Sequence, residues 1–127
     1  ELDGDDAEFK IDFTFRDFAG NKSEVTTNFS VITPVKTANA DSIKFETDSL
    51  TFKAKDLSRM YIEKDGSDYH LRTTSLISFN QLDHYFKSKE LSIRVFTKSK
   101  TFKFTSEGKF DRHRKEVYSD LIEVLKL

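Results

Sequence analysis

Chemistry in a 127-residue chain without cysteine must come from its hydroxyls, carboxylates, imidazoles and bases. The imidazoles are His70, His84 and His113, which lie 14 and 29 residues apart. Zinc and related ions are held by imidazoles and thiolates that recur at close, fixed spacing. That spacing is missing, so three separate surface or half-buried rings are expected, with no metal and no other cofactor. Asp83 beside His84, and Asp111 near His113, place a carboxylate close to an imidazole, the pairing that orients a general base. Adjacent residues of a helix point to different faces, however, and neither pair has a Ser, Thr or Lys in a recognisable nucleophile setting. Asp111 reads more simply as a negative charge in a helix's first turn, where it offsets exposed backbone N–H dipoles. Four glycines, at positions 4, 20, 66 and 108, cannot build a glycine-rich phosphate loop or a dinucleotide fingerprint. No catalytic residue is assigned, and the chain is not expected to be an enzyme.

The bases are more suggestive. Net charge is −1, yet residues 1–48 hold 11 acids and 5 bases while residues 87–115 hold 3 acids and 10 bases. Within that basic segment Arg94, Lys98, Lys100 and Lys103 are the candidate anion-binding residues. Phe96 shares a strand face with Arg94 if Leu91, Ile93 and Val95 point inward, and bases interleaved with an aromatic can grip anionic groups. A competing reading needs no ligand, because lysines on the outer faces of strands also keep sheet edges from pairing with other chains. Nucleic acid is an unlikely partner on these grounds, since its footprint usually comes with a clearly basic whole domain.

These residues must be positioned by a scaffold that alternates with period two over most of its length. Phe9, Ile11, Phe13 and Phe15 alternate with polar residues, as do Val25, Thr27, Phe29 and Val31, and the pair should form an antiparallel hairpin ended by Pro34. Ile43 with Phe45, and Leu50 with Phe52 and Ala54, predict a second hairpin around Asp48 and Ser49. Asp65-Gly66 predicts a type I′ turn joining 59–64 to 67–73. Ser78 followed by Gln81 fits a capping box opening a short helix over 79–88. Leu91, Ile93 and Val95, a tight turn at 98–100, then Phe102 and Phe104 predict a last hairpin. Phe110, Val117, Leu121 and Val124 predict an amphipathic helix over 110–126.

The expectation is therefore one α+β domain over 1–127, mostly antiparallel β with seven or eight strands. It carries a short internal helix and a C-terminal amphipathic helix packed on the sheet, and residues 1–7 are expected to fray. Thirteen phenylalanines are the main core material. No apolar run approaches the roughly 20 residues a membrane-spanning helix needs. Glu1 reads as the mature start of an exported chain, so an extracytoplasmic location (periplasmic, secreted or surface-anchored) is expected ahead of a cytoplasmic one. The leading functional expectation is a non-catalytic binding or accessory module that contacts a protein partner. The alternatives are an anion-binding module using residues 87–115 and a small-ligand carrier with a Phe-lined cavity.

Overall fold

Alternating apolar and polar side chains set the strands, and the strands build two sheets. The computed structural model of the chain describes residues 2–4, 7–14, 24–36, 39–98, 100–105, 112, 114–117 and 119. In chain order these give β1 (Leu2–Gly4), β2 (Ala7–Thr14), β3 (Glu24–Thr33), β4 (Ser42–Glu46), β5 (Thr51–Lys53), β6 (Lys55–Asp65) and β7 (Asp68–Ser78), then α1 (Phe79–Lys87), β8 (Ser92–Phe96) and β9 (Thr101–Thr105). One sheet has five strands in the order β1-β2-β3-β7-β6, the other four in the order β5-β4-β8-β9. Every pairing is antiparallel. The expected hairpins β2–β3, β4–β5, β6–β7 and β8–β9 are all present. A further strand comes from the stretch expected to fray: Leu2–Gly4 pairs with Phe9, Glu8 and Ala7 at the edge of the five-stranded sheet.

The sheets share one core. Phe9, Phe29, Phe45, Phe102 and Phe104 are fully buried together with Ile43, Ile93, Val31 and Val95. Phe9 lies with its ring centroid 5.9 Å from Phe29 in its own sheet and 5.0 Å from Phe104 in the other. Each such side chain stabilises the fold by roughly 1.5–3 kcal/mol relative to an exposed position. Ala54, buried and donating its N–H to Ile43 at 3.2 Å, carries the chain from β5 directly into β6 and so from one sheet to the other. On the opposite side β1 runs beside β9.

The helix α1 covers one end of this sandwich. Ser78 Oγ accepts the Gln81 N–H at 3.1 Å and Gln81 Oε1 accepts the Ser78 N–H at 2.9 Å, which closes the capping box and satisfies two otherwise unpaired donors. Leu82, Tyr85 and Phe86 are its buried face. Tyr85 meets Phe13 of one sheet at 5.3 Å and Phe45 of the other at 6.0 Å, both edge-on.

Two expectations are refined. The β6–β7 turn is centred one residue later than Asp65-Gly66. Asp65 pairs with Asp68, leaving Gly66 and Ser67 as the loop. Of the two only Gly66 has positive φ, at 61°, which fits a type II′ turn with glycine first rather than the type I′ turn expected. Of the C-terminal helix expected over 110–126, Arg112, Arg114–Val117 and Ser119 are helical. Val117 packs against the core, while Phe110, Leu121, Ile122, Val124 and Leu125 lie outside the described residues.

Candidate functional site

The outer face of the four-stranded sheet gathers bases that the sequence scatters. Alternation turns Phe52, Ile43, Phe45, Ile93, Val95, Phe102 and Phe104 inward, all buried. The residues between them must then point out. At the centres of β4, β8 and β9 stand Lys44, Arg94 and Lys103, with Lys53 at the end of β5, and the register sets them directly opposite one another: Lys53 to Lys44, Lys44 to Arg94, and Arg94 to Lys103. Strands lie about 4.8 Å apart, so the row crosses the sheet over about 14 Å. Hydroxyls flank it. Ser42 and Thr101 sit on either side of Phe96 in the next rank, and Thr51, Ser92 and Thr105 share the other flank with Glu46. Of the eleven outward side chains, four are bases, five carry hydroxyls, one is an acid and one is aromatic.

Glu46 holds Arg94, with Oε1 lying 3.1 Å from Nε. The two atoms are buried but off-axis for a hydrogen bond, so the contact is Coulombic. Among the described residues Lys44, Lys53 and Lys103 make no ion pair. The outer face of the five-stranded sheet contrasts with this. There Lys10 meets Glu8 at 3.9 Å, Lys55 meets Glu24 at 3.0 Å, and Arg72 meets Asp12 at 2.5 Å. Like charges directly opposite across a strand pair are destabilising. The row contains three such contacts with one acid to offset them, a local conflict of the kind folds tolerate where a surface is used.

The four expected residues separate into two groups. Arg94 and Lys103 are neighbours in the row, and Phe96 shares their face as expected. Lys98 and Lys100 belong to the β8–β9 turn at the sheet's end. Lys98 is exposed, while Lys100 places Nζ 5.5 Å from the ring centroid of the buried Phe102. Two further bases of segment 87–115 are engaged away from the row, and Lys109 lies outside the described residues. Lys87 pairs with Asp83 at 3.2 Å. Arg114 is buried, donates to the Tyr85 carbonyl and lies 5.7 Å from that ring's centroid. Lys44, from the segment counted as acidic, and Lys53, five residues beyond its end, complete the row.

The ends of the sheet are fixed by matching turns. Thr47 donates its N–H to Leu50 O at 2.9 Å and accepts the Leu50 N–H on Oγ1 at 3.0 Å; Thr97 does the same with Lys100, at 3.0 Å in each bond. The first turn is clamped to the loop after α1. Asp48 accepts the amides of Lys89 and Glu90 at 2.8 and 3.0 Å, and its own N–H reaches Ser88 Oγ at 3.1 Å. The Lys89 amide first, then the Glu90 amide, hold the Asp48 carboxyl below the ordinary carboxylate value.

The imidazoles stand apart, as expected for the two described ones. His70 lies edge-on to Tyr61 at 5.4 Å on β7, and His84 Nδ1 lies 3.0 Å from Ser49 Oγ on α1. Asp83 and His84 thus have different partners. Asp111 and His113 lie outside the described residues. Among the described residues no three His, Asp or Glu side chains are grouped to hold a metal ion, and no helix is long and apolar enough to cross a membrane.

A second exposed surface lies on β6, where Met60 and Tyr61 are 53% and 37% exposed. This edge is irregular against β7 in two places, between Lys55 and Ser58 and between Arg59 and Tyr61, and Asp56 has φ 55°. Because of the second bulge Arg59 pairs with inward Thr73 and Tyr61 with outward Arg72. A partner strand added here cannot keep its faces matched through the bulge, which is how irregular edges resist sheet extension.

One signal for the row was present in the sequence: a base between two apolar residues in Ile43-Lys44-Phe45, Phe52-Lys53-Ala54, Ile93-Arg94-Val95 and Phe102-Lys103-Phe104. Phe9-Lys10-Ile11 carries the same signature and lands on the other sheet, so strand order was needed to gather the four. No protein-family model, no curated protein and no solved structure matches the chain.

Proposed function

We propose that this domain is a non-catalytic binding module that presents the outer face of its four-stranded sheet to an anionic surface on a protein partner. The observation that carries the reading is the in-register row Lys53–Lys44–Arg94–Lys103, whose mutual repulsion a negative ligand would relieve. The surrounding hydroxyls supply hydrogen-bond donors to the same ligand. The phenylalanines are in ring-to-ring contact, Phe45 on Phe52 at 5.0 Å and Phe9 on Phe104 at 5.0 Å. That is core construction, and it favours an outer-surface module over a carrier.

Retention on immobilised heparin tests the face directly. Wild type should be retained at low salt and elute as salt rises, because exposed charges are screened over about 10 Å at 0.1 M and about 3 Å at 1 M. The double variant Lys44→Gln/Lys103→Gln should elute at clearly lower salt than Lys98→Gln. Equal elution of the two would remove the row as the site. A location outside the cytoplasm belongs to the same proposal, and fractionation of cells expressing the full natural gene tests it.

A further inference from the structure

We infer, resting on that reading, that the ligand of the basic row is an extended acidic segment of a partner protein with carboxylates at alternate positions, laid across the strands. Four bases spaced by the strand separation span about 14 Å. An extended polypeptide advances about 3.4 Å per residue and turns every second side chain to one side, so carboxylates at i, i+2 and i+4 span nearly the same distance, about 13.6 Å. Three carboxylates so placed fall between and beside Lys53, Lys44, Arg94 and Lys103, each within reach of two bases. Glu46 occupies one flank and already engages Arg94. The other flank, Ser42, Phe96 and Thr101, offers hydroxyls and one apolar ring to the segment's backbone and to a neighbouring side chain. Nucleic acid fits this face less well: aromatic platforms that stack successive bases are its usual partner, and this face has a single ring, Phe96.

The test uses fluorescence anisotropy with two labelled heptapeptides of equal charge. One is Ser-Glu-Ser-Glu-Ser-Glu-Ser and the other Ser-Ser-Glu-Glu-Glu-Ser-Ser, whose acids point to opposite sides when extended. The expected result is about tenfold tighter binding of the alternating peptide, equal to about 1.4 kcal/mol. That binding should be lost in high salt and weakened at least tenfold by Lys44→Gln/Lys103→Gln but not by Lys98→Gln. Equal affinity for the two peptides would overturn the spacing argument. Tighter binding of a short single-stranded oligonucleotide than of either peptide would overturn the ligand class. In both cases heparin retention through the row still supports the binding face. Absence of salt-sensitive binding to peptides, oligonucleotide and heparin alike would overturn the ligand and the face together.

Discussion

Lys44→Gln should make this protein more stable. Lys44 stands directly opposite both Lys53 and Arg94, so it takes part in two of the three like-charge contacts of the row. Cross-strand charge pairs are worth roughly 0.2–1 kcal/mol each, so relieving two should stabilise the fold by about 0.4–2 kcal/mol. Glutamine keeps most of the aliphatic stem and removes only the charge, which separates electrostatics from packing. For a domain of this size a kcal/mol moves Tm by about 4 °C, giving an expected rise of about 2–8 °C in low-salt buffer. Screening at 1 M salt shortens the Debye length to about 3 Å, so most of the gain should vanish there. Glu46→Gln should move Tm the other way, since it removes the acid that meets Arg94. Thermal melts of the three proteins at low and high salt decide the matter. A Lys44→Gln variant that is neutral or destabilised at low salt, or stabilised equally at both salts, would refute the reasoning.

The remaining predictions concern what holds the sheet in place. Asp48 is held below the ordinary carboxylate range by the Lys89 and Glu90 amides, so its contribution is complete above the unfolded value of about 3.9 and is lost as pH falls through its lower folded value. Asp48→Asn should therefore lower Tm at pH 7 and flatten the acid limb of the Tm–pH curve; an unchanged acid limb would contradict this. Ser78→Ala removes the N-cap of α1 and should cost about 0.5–2 kcal/mol, read as a shift in the urea midpoint at unchanged slope. Arg114→Met should destabilise far more than Lys115→Met, because Arg114 is buried and bonded to the Tyr85 carbonyl while Lys115 is exposed. Equal urea midpoints for those two would argue against docking of the C-terminal residues on α1.

What was legible in the sequence was local. The capping box needed Ser78 and Gln81, four residues of one chain segment, and α1 starts where those residues place it. The β4–β5 and β8–β9 hairpins followed from apolar alternation interrupted by short polar turns. The β6–β7 turn moved by one residue because Asp65 pairs with Asp68, and its type follows from Gly66 alone having positive φ, which is what a type II′ turn needs, whereas a type I′ turn needs two such residues. The row was not legible. Arg94 and Lys103 lie nine residues apart on one hairpin and were found together, but Lys44 and Lys53 enter only through the β4–β8 pairing, a contact between segments about 50 residues apart. A charge count by segment includes Arg114 among its ten bases, yet that side chain is buried and bonded to the Tyr85 carbonyl.

Tyr85 links regions that a two-sheet architecture otherwise keeps apart. Its ring touches Phe13 from one sheet, Phe45 from the other, Phe86 on its own helix and the guanidinium of Arg114. Separating either layer from its neighbour strips contacts from this one aromatic, so the layers should open as a single cooperative unit rather than peel away in turn. The chain has no tryptophan and only four tyrosines. Tyr85, at 2% exposure, is thus a built-in optical reporter of that opening. Its near-ultraviolet dichroism senses both layers at once, without a label and without altering the binding face.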